Sequence, residues 1–209
     1  AMTMSATSRP AQMRAEYSGV PLRAIAQLAK SWNFSEASFG MAALNSYYAT
    51  PSVADEHGFA LAGAPWPHIF DPFRNAVAGK KVAVIGHFPF APKALNQAAD
   101  FYMLERSLNE GDYPDSAAEY ILPECDYVFI TGSAFVNKTA PRLLELSRES
   151  FNVVLGPSTP LAPVLLENYG VSQVTGMLPT SPLAMFEGLS GTDAGTTMFD
   201  WGHRVELSA

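Results

Sequence analysis

The chain has 209 residues, of which 48% are hydrophobic and 16% charged, and its formal net charge is −7 at pH 7. This length holds one large domain or two small ones, and the hydrophobic content is sufficient for a buried core. Proteins that bind nucleic acid usually present a basic surface. The acidic balance, without a cluster of Lys and Arg, therefore excludes DNA, RNA and anionic membranes as expected partners.

Cysteine use and hydropathy limit the class of protein further. The single cysteine, Cys125, excludes an intramolecular disulfide and a CxxC metal clip, and its place before an apolar run predicts a strand-edge or partly buried thiol. No apolar run approaches the roughly 20 residues that a membrane-spanning helix needs. Residues 1–14 lack the apolar core of a secretory signal. We therefore expect a cytoplasmic protein.

The first third of the chain has helical patterns. Apolar residues with helical spacing predict helices over 20–32 and 35–49, the second with Ser35 as its N-cap. Small residues around Gly40 indicate close packing of that second helix against another backbone. Residues 1–19 carry few helix signals, which favours an edge strand or an extended arm.

A different pattern follows the connection at 49–79, which is rich in Pro and Gly and includes a short predicted helix over 70–77. From Lys80 onward, short apolar runs alternate with helical stretches, as in a parallel sheet covered by helices on both faces. The predicted strands are 81–85, 101–105, 127–131, 152–156 and 172–176, with a last strand over 198–207. The predicted helices between them are 92–99, 115–122, 138–149 and 162–169. The fold class is therefore α/β with a Rossmann-like sheet.

The first strand of this sheet ends at Gly86-His87-Phe88-Pro89. A dinucleotide site would need G-x-G-x-x-G at this place, so ordinary NAD or FAD binding is disfavoured. His87 is a candidate metal ligand, general base or hydrogen-bond donor to a ligand, because strand-end loops of this fold carry function. The alternative is a histidine that orients its own loop.

The second strand ends at Glu105, where nucleotide-binding sheets place an acidic residue that accepts hydrogen bonds from ribose hydroxyls. His87 and Glu105 end consecutive strands, so together they could hold a borderline metal or form a proton-transfer pair. Two ligands are too few for a specific metal. The alternative for Glu105 is a solvated side chain beside Arg106.

Two later strand ends repeat a turn rich in hydrogen-bond donors. Thr131, Gly132 and Ser133 precede a helix with Asn137 as its predicted N-cap, and Gly156, Pro157 and Ser158 follow one unit later. Exposed N–H groups and hydroxyls at such places favour an anionic ligand, whereas ordinary turn chemistry explains either loop alone. Asn45 is a packing amide, or it reaches the cleft if its helix packs over the strand ends.

The order and spacing of several segments resemble the putative heavy-metal chelation family, whose members are bacterial and archaeal proteins of unknown function. The resemblance covers about residues 17–190 and is carried by GMAALNSYY, KKVAVIGHFPF, FYMLER, GDYPDSAAEYILPECDYVFITGSAFVNKT and NVVLGPSTPLAPVLLENYGVSQVTGM. It implies a small N-terminal α+β domain similar to the enolase N-terminal domain over 1–64, a Rossmann-like domain over 65–209, and a pocket between them.

The positions that match the family's pattern are Asn45, Gly86, His87, Pro89, Glu105, Thr131, Gly132, Ser133, Asn137, Gly156, Pro157 and Ser158. Family members usually have a longer, β-rich opening before the first helix. The small domain of this chain is therefore expected to be either shortened or completed by a partner subunit, which favours a homodimer.

Three functions are compatible with these residues. The first is binding of a small anionic ligand, a transition metal, or both in the cleft between the domains, with His87 and Glu105 as the metal contacts or the proton-transfer pair. The second is an enzyme with a nucleoside-type cofactor such as S-adenosylmethionine, held by Glu105. The third is a structural or regulatory subunit. The sequence leaves the cofactor unknown, with a transition metal as one candidate.

Overall fold

The computed structural model describes residues 9–11, 16–190 and 198–209. The α-helices are α1 (Leu22–Ala26), α2 (Phe34–Tyr48), α3 (Pro51–Glu56), α4 (Ala91–Ala94), α5 (Ala118–Ile121), α6 (Ala140–Leu146), α7 (Val164–Tyr169) and α8 (Pro182–Leu189). The strands are β1 (Ala60–Leu61), β2 (Lys81–Ile85), β3 (Asp100–Glu105), β4 (Tyr113–Pro114), β5 (Tyr127–Thr131), β6 (Phe151–Leu155), β7 (Gln173–Pro179) and β8 (Gly202–Ser208).

All these strands join one sheet in the order β1-β8-β7-β6-β5-β2-β3-β4. The six strands from β7 to β4 run parallel, and β8 and β1 add an antiparallel edge. The mixed α/β fold with a mostly parallel sheet confirms the predicted fold class. The five predicted central strands are all present, and the tail strand begins at Gly202, after a 3-10 turn at Met198–Trp201.

Helices cover both faces of the sheet, because alternate residues of the same strands are buried on opposite sides. Ala83, Val128, Ile130 and Val154 pack toward α5, α6 and α7, while Val82, Val84, Phe129 and Val153 pack toward α4 and residues 69–77. Burial on both faces explains the continuous apolar runs in the sequence. The predicted helix over 70–77 is wrong in type, since a 3-10 turn at Asp71–Phe73 leads into turn residues.

The N-terminal helices form a layer that α2 anchors. The cap of α2 is Asn33, whose Oδ1 accepts a hydrogen bond from the Glu36 N–H at 3.1 Å, so the prediction of Ser35 was wrong by two residues. A Cβ atom added at Gly40 would collide with the backbone of Leu28 and Ala29, which confirms the predicted close packing. Most of the predicted arm over 1–19 lies outside the described residues.

The layer is joined to the sheet by packing and by one side-chain hydrogen bond. Phe34, Ala37 and Met41 of α2 form a buried cluster with Val136, which lies beyond the end of β5. Asn45 Nδ2 donates to the Ser158 carbonyl at 2.9 Å, after the end of β6. None of the helices in the described parts of the chain is both long and apolar enough to cross a membrane.

Candidate functional site

The carboxyl ends of β2 and β5 lie side by side at the centre of the sheet. From β2 the chain continues outward to β3 and β4, and from β5 it continues in the opposite direction to β6 and β7. A crevice opens where the connections diverge in this way, and open α/β sheets bind their ligands there. The loops that begin at Gly86 and Gly132 border this crevice.

A cleft of about 750 Å³ occupies that place. Ligand sites in proteins commonly measure about 300–1,000 Å³. One wall is apolar and comes from the sheet, from the turn after β5 and from α5 and α6, namely Ile85, Leu104, Ala118, Ala134, Leu143 and Leu146. The rim is polar and carries Glu105, Arg106, Ser107, Asp115, Ser116, Glu119, Asn137, Lys138, Thr139 and Arg142. Phe34 extends the lining from the N-terminal layer.

Two hydroxyl groups stand at the base of the cleft. Thr131 Oγ1 and Ser133 Oγ lie 2.9 Å apart, and the Ser133 N–H donates to Thr131 Oγ1 at 3.4 Å. Thr131 thereby caps the 3-10 turn Gly132–Phe135 that follows β5. Gly86 lies opposite with φ +105, and a Cβ atom there would press on Thr131 at 3.2 Å. A glycine at 86 therefore leaves room for the hydroxyl pair.

The Glu105 carboxylate accepts hydrogen bonds from three backbone N–H groups in two loops. Its Oε1 accepts the N–H groups of Arg106 at 2.6 Å and Ser107 at 3.2 Å, and its Oε2 accepts the His87 N–H at 2.9 Å. These bonds join the loop after β2 to the loop after β3. The contacts give Glu105 an organising role at the edge of the cleft.

The other two carboxylates of the lining are paired with arginines. Asp115 lies 3.4 Å from Arg106 Nε, and the Arg106 guanidinium lies over the Phe34 ring at 5.9 Å. Glu119 receives both Arg142 Nε at 2.9 Å and Arg142 Nη2 at 2.5 Å. The negative charges of Asp115 and Glu119 are therefore already compensated.

Lys138 differs from the two arginines of the cleft. Its ammonium donates to the Ala29 carbonyl, and no carboxylate pairs with it among the residues that the structure describes. Burial lowers the pKa of Lys138. The backbone has φ +68, in the left-handed region that a non-glycine residue rarely adopts. Such strain persists where the surrounding structure holds it, and it is concentrated at functional sites.

His87 lies at the border of the cleft and pairs with Asp112, which is not among the predicted site residues. Its Nδ1 is 3.0 Å and 3.1 Å from the two carboxylate oxygens of Asp112, whose side chain is fully buried. Asn109 donates to Asp112 from its backbone and its side chain. A carboxylate on Nδ1 fixes the ring and leaves Nε2 for a proton or a metal.

The pKa of Asp112 reflects two opposed effects. Burial acts to raise it, but the hydrogen bonds from Asn109 and His87 outweigh burial and hold the pKa below the usual aspartate range. A carboxylate with a lowered pKa stabilises the fold above its ordinary pKa of about 4, and that contribution is lost as the pH falls through the lower folded value.

Asp112→Asn is therefore expected to lower the melting temperature near neutral pH and to have a smaller effect at about pH 3, where the native carboxylate is also being protonated. Thermal unfolding at both pH values measures this change. Asp55→Asn, at an exposed position of α3, is the control and should have little effect at either pH. A melting-temperature difference for Asp112→Asn that is independent of pH would contradict this account.

The structure separates the twelve predicted site residues into two groups. Gly86, Glu105, Thr131, Ser133 and Asn137 line the cleft. The residues outside its lining are Asn45, His87, Pro89, Gly132, Gly156, Pro157 and Ser158. Asn137 is not the N-cap of α6, which begins at Ala140; its Oδ1 instead accepts the N–H and the hydroxyl of Thr139 at 3.1 and 2.6 Å.

The loop after β6 does not line the cleft but packs against the loop after β5, which does. A Cβ atom added at Gly132 would lie 2.6 Å from the Ser158 carbonyl carbon and 2.7 Å from Thr159 Cα, so the two strand-end loops are in backbone contact. Gly156 has φ +114, which turns the chain at the end of β6. Asn45 holds the same loop through Ser158. These predicted residues therefore shape the loops that border the cleft.

Lys138, Arg106, Asp115 and Asp112 were not predicted as site residues. Lys138 follows Asn137 directly, and the left-handed backbone that distinguishes it has no signature in the sequence. Asp112 follows Asn109 and Gly111, residues that signal an ordinary turn. Asp112 directly precedes β4 (Tyr113–Pro114), a strand too short to be recognised in the sequence.

The residues present do not form an evident protein metal site. In the described ranges, no group of three or more His, Cys, Asp or Glu side chains is arranged to hold an ion. Cys125 is buried, donates from Sγ to the Ile121 carbonyl at 3.3 Å, and has its pKa raised to about 11 by burial. It is therefore a structural thiol, and it does not line the cleft.

Comparison with known protein families gives two matches. A model of the DUF364 family, described as putative heavy-metal chelation, matches residues 68–205. A model of the DUF4213 family, which carries the same description, matches residues 1–48. The two matches leave a gap that contains α3 and β1.

Two solved structures of the DUF364 family and one curated protein are similar to this chain. The crystal structure of a DUF364-family protein of unknown function from Desulfitobacterium hafniense DCB-2 has a TM-score of 0.83 and 45% identity, over 91% of this chain and 76% of that chain. Another of unknown function, from Pyrococcus horikoshii, has a TM-score of 0.76 at 22% identity, over 95% and 79%, and shows the fold alone. An uncharacterized protein of Methanocaldococcus jannaschii is 29% identical over 101 residues, which are 46% of this chain and 39% of that protein. The match thus spans well under half of that curated relative.

Proposed function

Because the chain belongs to the putative heavy-metal chelation family of unknown function, we propose that it binds a small anionic ligand in the cleft at the carboxyl ends of β2, β3 and β5. The observation that carries this proposal is Lys138, a partly buried ammonium that lines the cleft and pairs with no carboxylate in the described part of the chain. A ligand that brings a negative charge would supply the missing counter-ion.

The surroundings of Lys138 support an anion over a cation. Thr131 and Ser133 offer hydroxyl donors at the base of the cleft. Glu105, Asp115 and Glu119 are held by backbone N–H groups or by arginines, so a cation would have to compete with those partners. Hydrogen bonds from charged donors are stronger than neutral ones. The ammonium and the two hydroxyls together form an anion-binding set.

A second candidate function is proton transfer at the border of the same cleft, and the pairing of His87 with Asp112 favours it. In that role His87 Nε2 would accept a proton from the bound ligand while Asp112 holds the ring. The predicted nucleoside-type cofactor requires Glu105 to accept hydrogen bonds from ribose hydroxyls. Three backbone N–H groups already donate to that carboxylate, so the structure favours this function less than anion binding.

We further propose that the chain acts as a homodimer in the cytoplasm. The support is the exposure of large apolar side chains on the N-terminal layer, where Leu22 is 47% and Trp32 is 61% exposed. A second copy would cover such side chains. Light scattering coupled to size exclusion measures the mass in solution, and a monomer at all concentrations would contradict this proposal.

Thermal-shift measurements with matched probes test the anion proposal. Benzoate and benzamide share a ring and differ in the negative charge, and phosphate and citrate extend the set to other anions. We expect benzoate or another anion to raise the melting temperature at constant ionic strength and benzamide to have no effect, because a ligand stabilises the state that binds it. Equal shifts with benzoate and benzamide, or no shift with any anion, would contradict the proposal.

A further inference from the structure

We infer that a metal taken up by this cleft arrives as a negatively charged complex with a small chelating ligand, and not as a bare cation bound by protein side chains. This inference rests on the anion-binding function proposed above. It follows from a mismatch between the family's association with heavy metals and the side chains that line the site.

The first part of the mismatch is the set of donor atoms. Borderline and soft metals bind thiolate, imidazole and carboxylate groups, and a protein site usually supplies three or four of them. Across residues 9–11, 16–190 and 198–209, no three such side chains are grouped. The thiol of Cys125 is buried away from the cleft lining. His87 offers one nitrogen, because its other ring nitrogen faces Asp112.

The second part is the engagement of the carboxylates. The N–H groups of His87, Arg106 and Ser107 take three of the roughly four acceptor sites of the Glu105 carboxylate, so Glu105 could offer a metal at most one bond without losing a partner. A metal on Asp115 or Glu119 would separate that residue from its arginine. Leaving such groups unpaired costs free energy in a partly buried site. A bare cation would have to overcome this cost before it gained a complete set of ligands.

The third part of the mismatch is the positive charge of the Lys138 ammonium in the cleft lining. Among the described residues that line the cleft, Arg106 and Arg142 pair with carboxylates, whereas the cation Lys138 pairs with none. The Glu105 carboxylate has no cationic partner either, but three backbone N–H groups hold it. The Lys138 ammonium repels a divalent cation and attracts a complex with a net negative charge. The cleft thus suits a metal whose charge is already exceeded by that of its ligands.

The shape of the cleft indicates the kind of chelator. The wall formed by Ile85, Leu104, Leu143 and Leu146 is apolar, and it faces a rim of donors. A ligand with a flat or apolar body and acidic chelating groups would bury its body against this wall and leave its charge near Lys138. Aromatic carboxylates with neighbouring donor atoms have this chemistry. The volume of about 750 Å³ is that of a small-molecule site.

Equilibrium dialysis of tag-free protein tests the inference. The three probes are zinc ion alone, pyridine-2,6-dicarboxylate alone, and the dianionic complex of one zinc with two of these ligands. Metal and dicarboxylate are quantified separately. We expect the protein to retain zinc and dicarboxylate together in the ratio of the complex, and to bind the complex at least about tenfold more tightly than zinc alone.

Two variants complete the test. Lys138→Met should weaken retention of the complex about tenfold or more, and Lys93→Met, at an exposed position of α4, should leave it unchanged. Retention of zinc without dicarboxylate, or equal affinity for the complex in Lys138→Met and the native protein, would overturn the inference. If benzoate, phosphate or citrate binds and the complex does not, the inference fails and the anion-binding function stands. If none of these anions binds, both fail.

Discussion

Replacement of Gly132 by alanine is expected to lower the free energy of unfolding by about 3 kcal/mol, the upper part of the usual range for overpacking. The added Cβ atom would lie 2.6 Å from the Ser158 carbonyl carbon and 2.7 Å from Thr159 Cα. Those atoms belong to the backbone, so a rotamer change cannot relieve the clash. One of the two strand-end loops would have to move.

Gly63→Ala is the matched control for this substitution. No atom lies within 4 Å of a Cβ added at Gly63, and its backbone is not in the left-handed region. Chemical denaturation of both variants gives the free energies directly. Equal stability of Gly132→Ala and Gly63→Ala would show that the loops after β5 and β6 are not in the contact described here.

Substitution of Gly132 should also affect ligand binding, because Gly132 lies between Thr131 and Ser133, the two hydroxyl residues of the cleft. A shift of the Gly132–Phe135 turn would move Ser133 away from Thr131, which now lies 2.9 Å from it. Gly132→Ala should therefore weaken anion binding as well as stability. The glycine has a structural reason for its place in the strand-end motif.

Lys138→Met is expected to weaken binding of benzoate, or of whichever anion in the set stabilises the protein, by about tenfold to a hundredfold. Methionine keeps most of the length and apolar character of the lysine side chain and removes its charge and its donors. The loss should appear in isothermal titration calorimetry as a weaker affinity, with the fold retained by circular dichroism.

Two further variants separate charge from other effects at this position. Lys138→Arg keeps a cation and should restore part of the affinity, although the guanidinium cannot reproduce the position of an ammonium. Lys93→Met removes one positive charge from an exposed part of α4 and should have no effect. A full affinity in Lys138→Met would mean that the ammonium serves the packing of the N-terminal layer through the Ala29 carbonyl alone.

The sequence predicted the sheet well because its strands are buried on both faces. Runs such as that of β5 (Tyr127–Thr131) have no solvent-facing side to interrupt the apolar pattern, and glycine or a hydroxyl residue marks their ends. Parallel strands share an edge at their carboxyl ends, so Gly86, Glu105 and Thr131 could be expected near one another. These three residues do line the cleft.

Other features of the site depend on contacts between distant segments, which a pattern along the chain does not reveal. The hydrogen bond from Lys138 to Ala29 and the approach of Gly132 to Ser158 join residues far apart in sequence. The pairing of His87 with Asp112 spans two loops. The sequence likewise predicted Glu105 as a ligand-binding group, because the hydrogen bonds that its oxygens accept from backbone N–H groups depend on the folded loops.

Mapping of the anion-binding site by nuclear magnetic resonance tests the central claim most directly. Backbone amide shifts of the labelled protein would be followed during titration with benzoate, with benzamide as the uncharged control. We expect the largest shifts at Thr131, Ser133 and Lys138, and smaller ones at Phe34 and Arg106, because these residues line the cleft. Shifts confined to other parts of the chain, such as Leu61–Pro65 beside β8, or the same shifts with benzamide, would contradict the account.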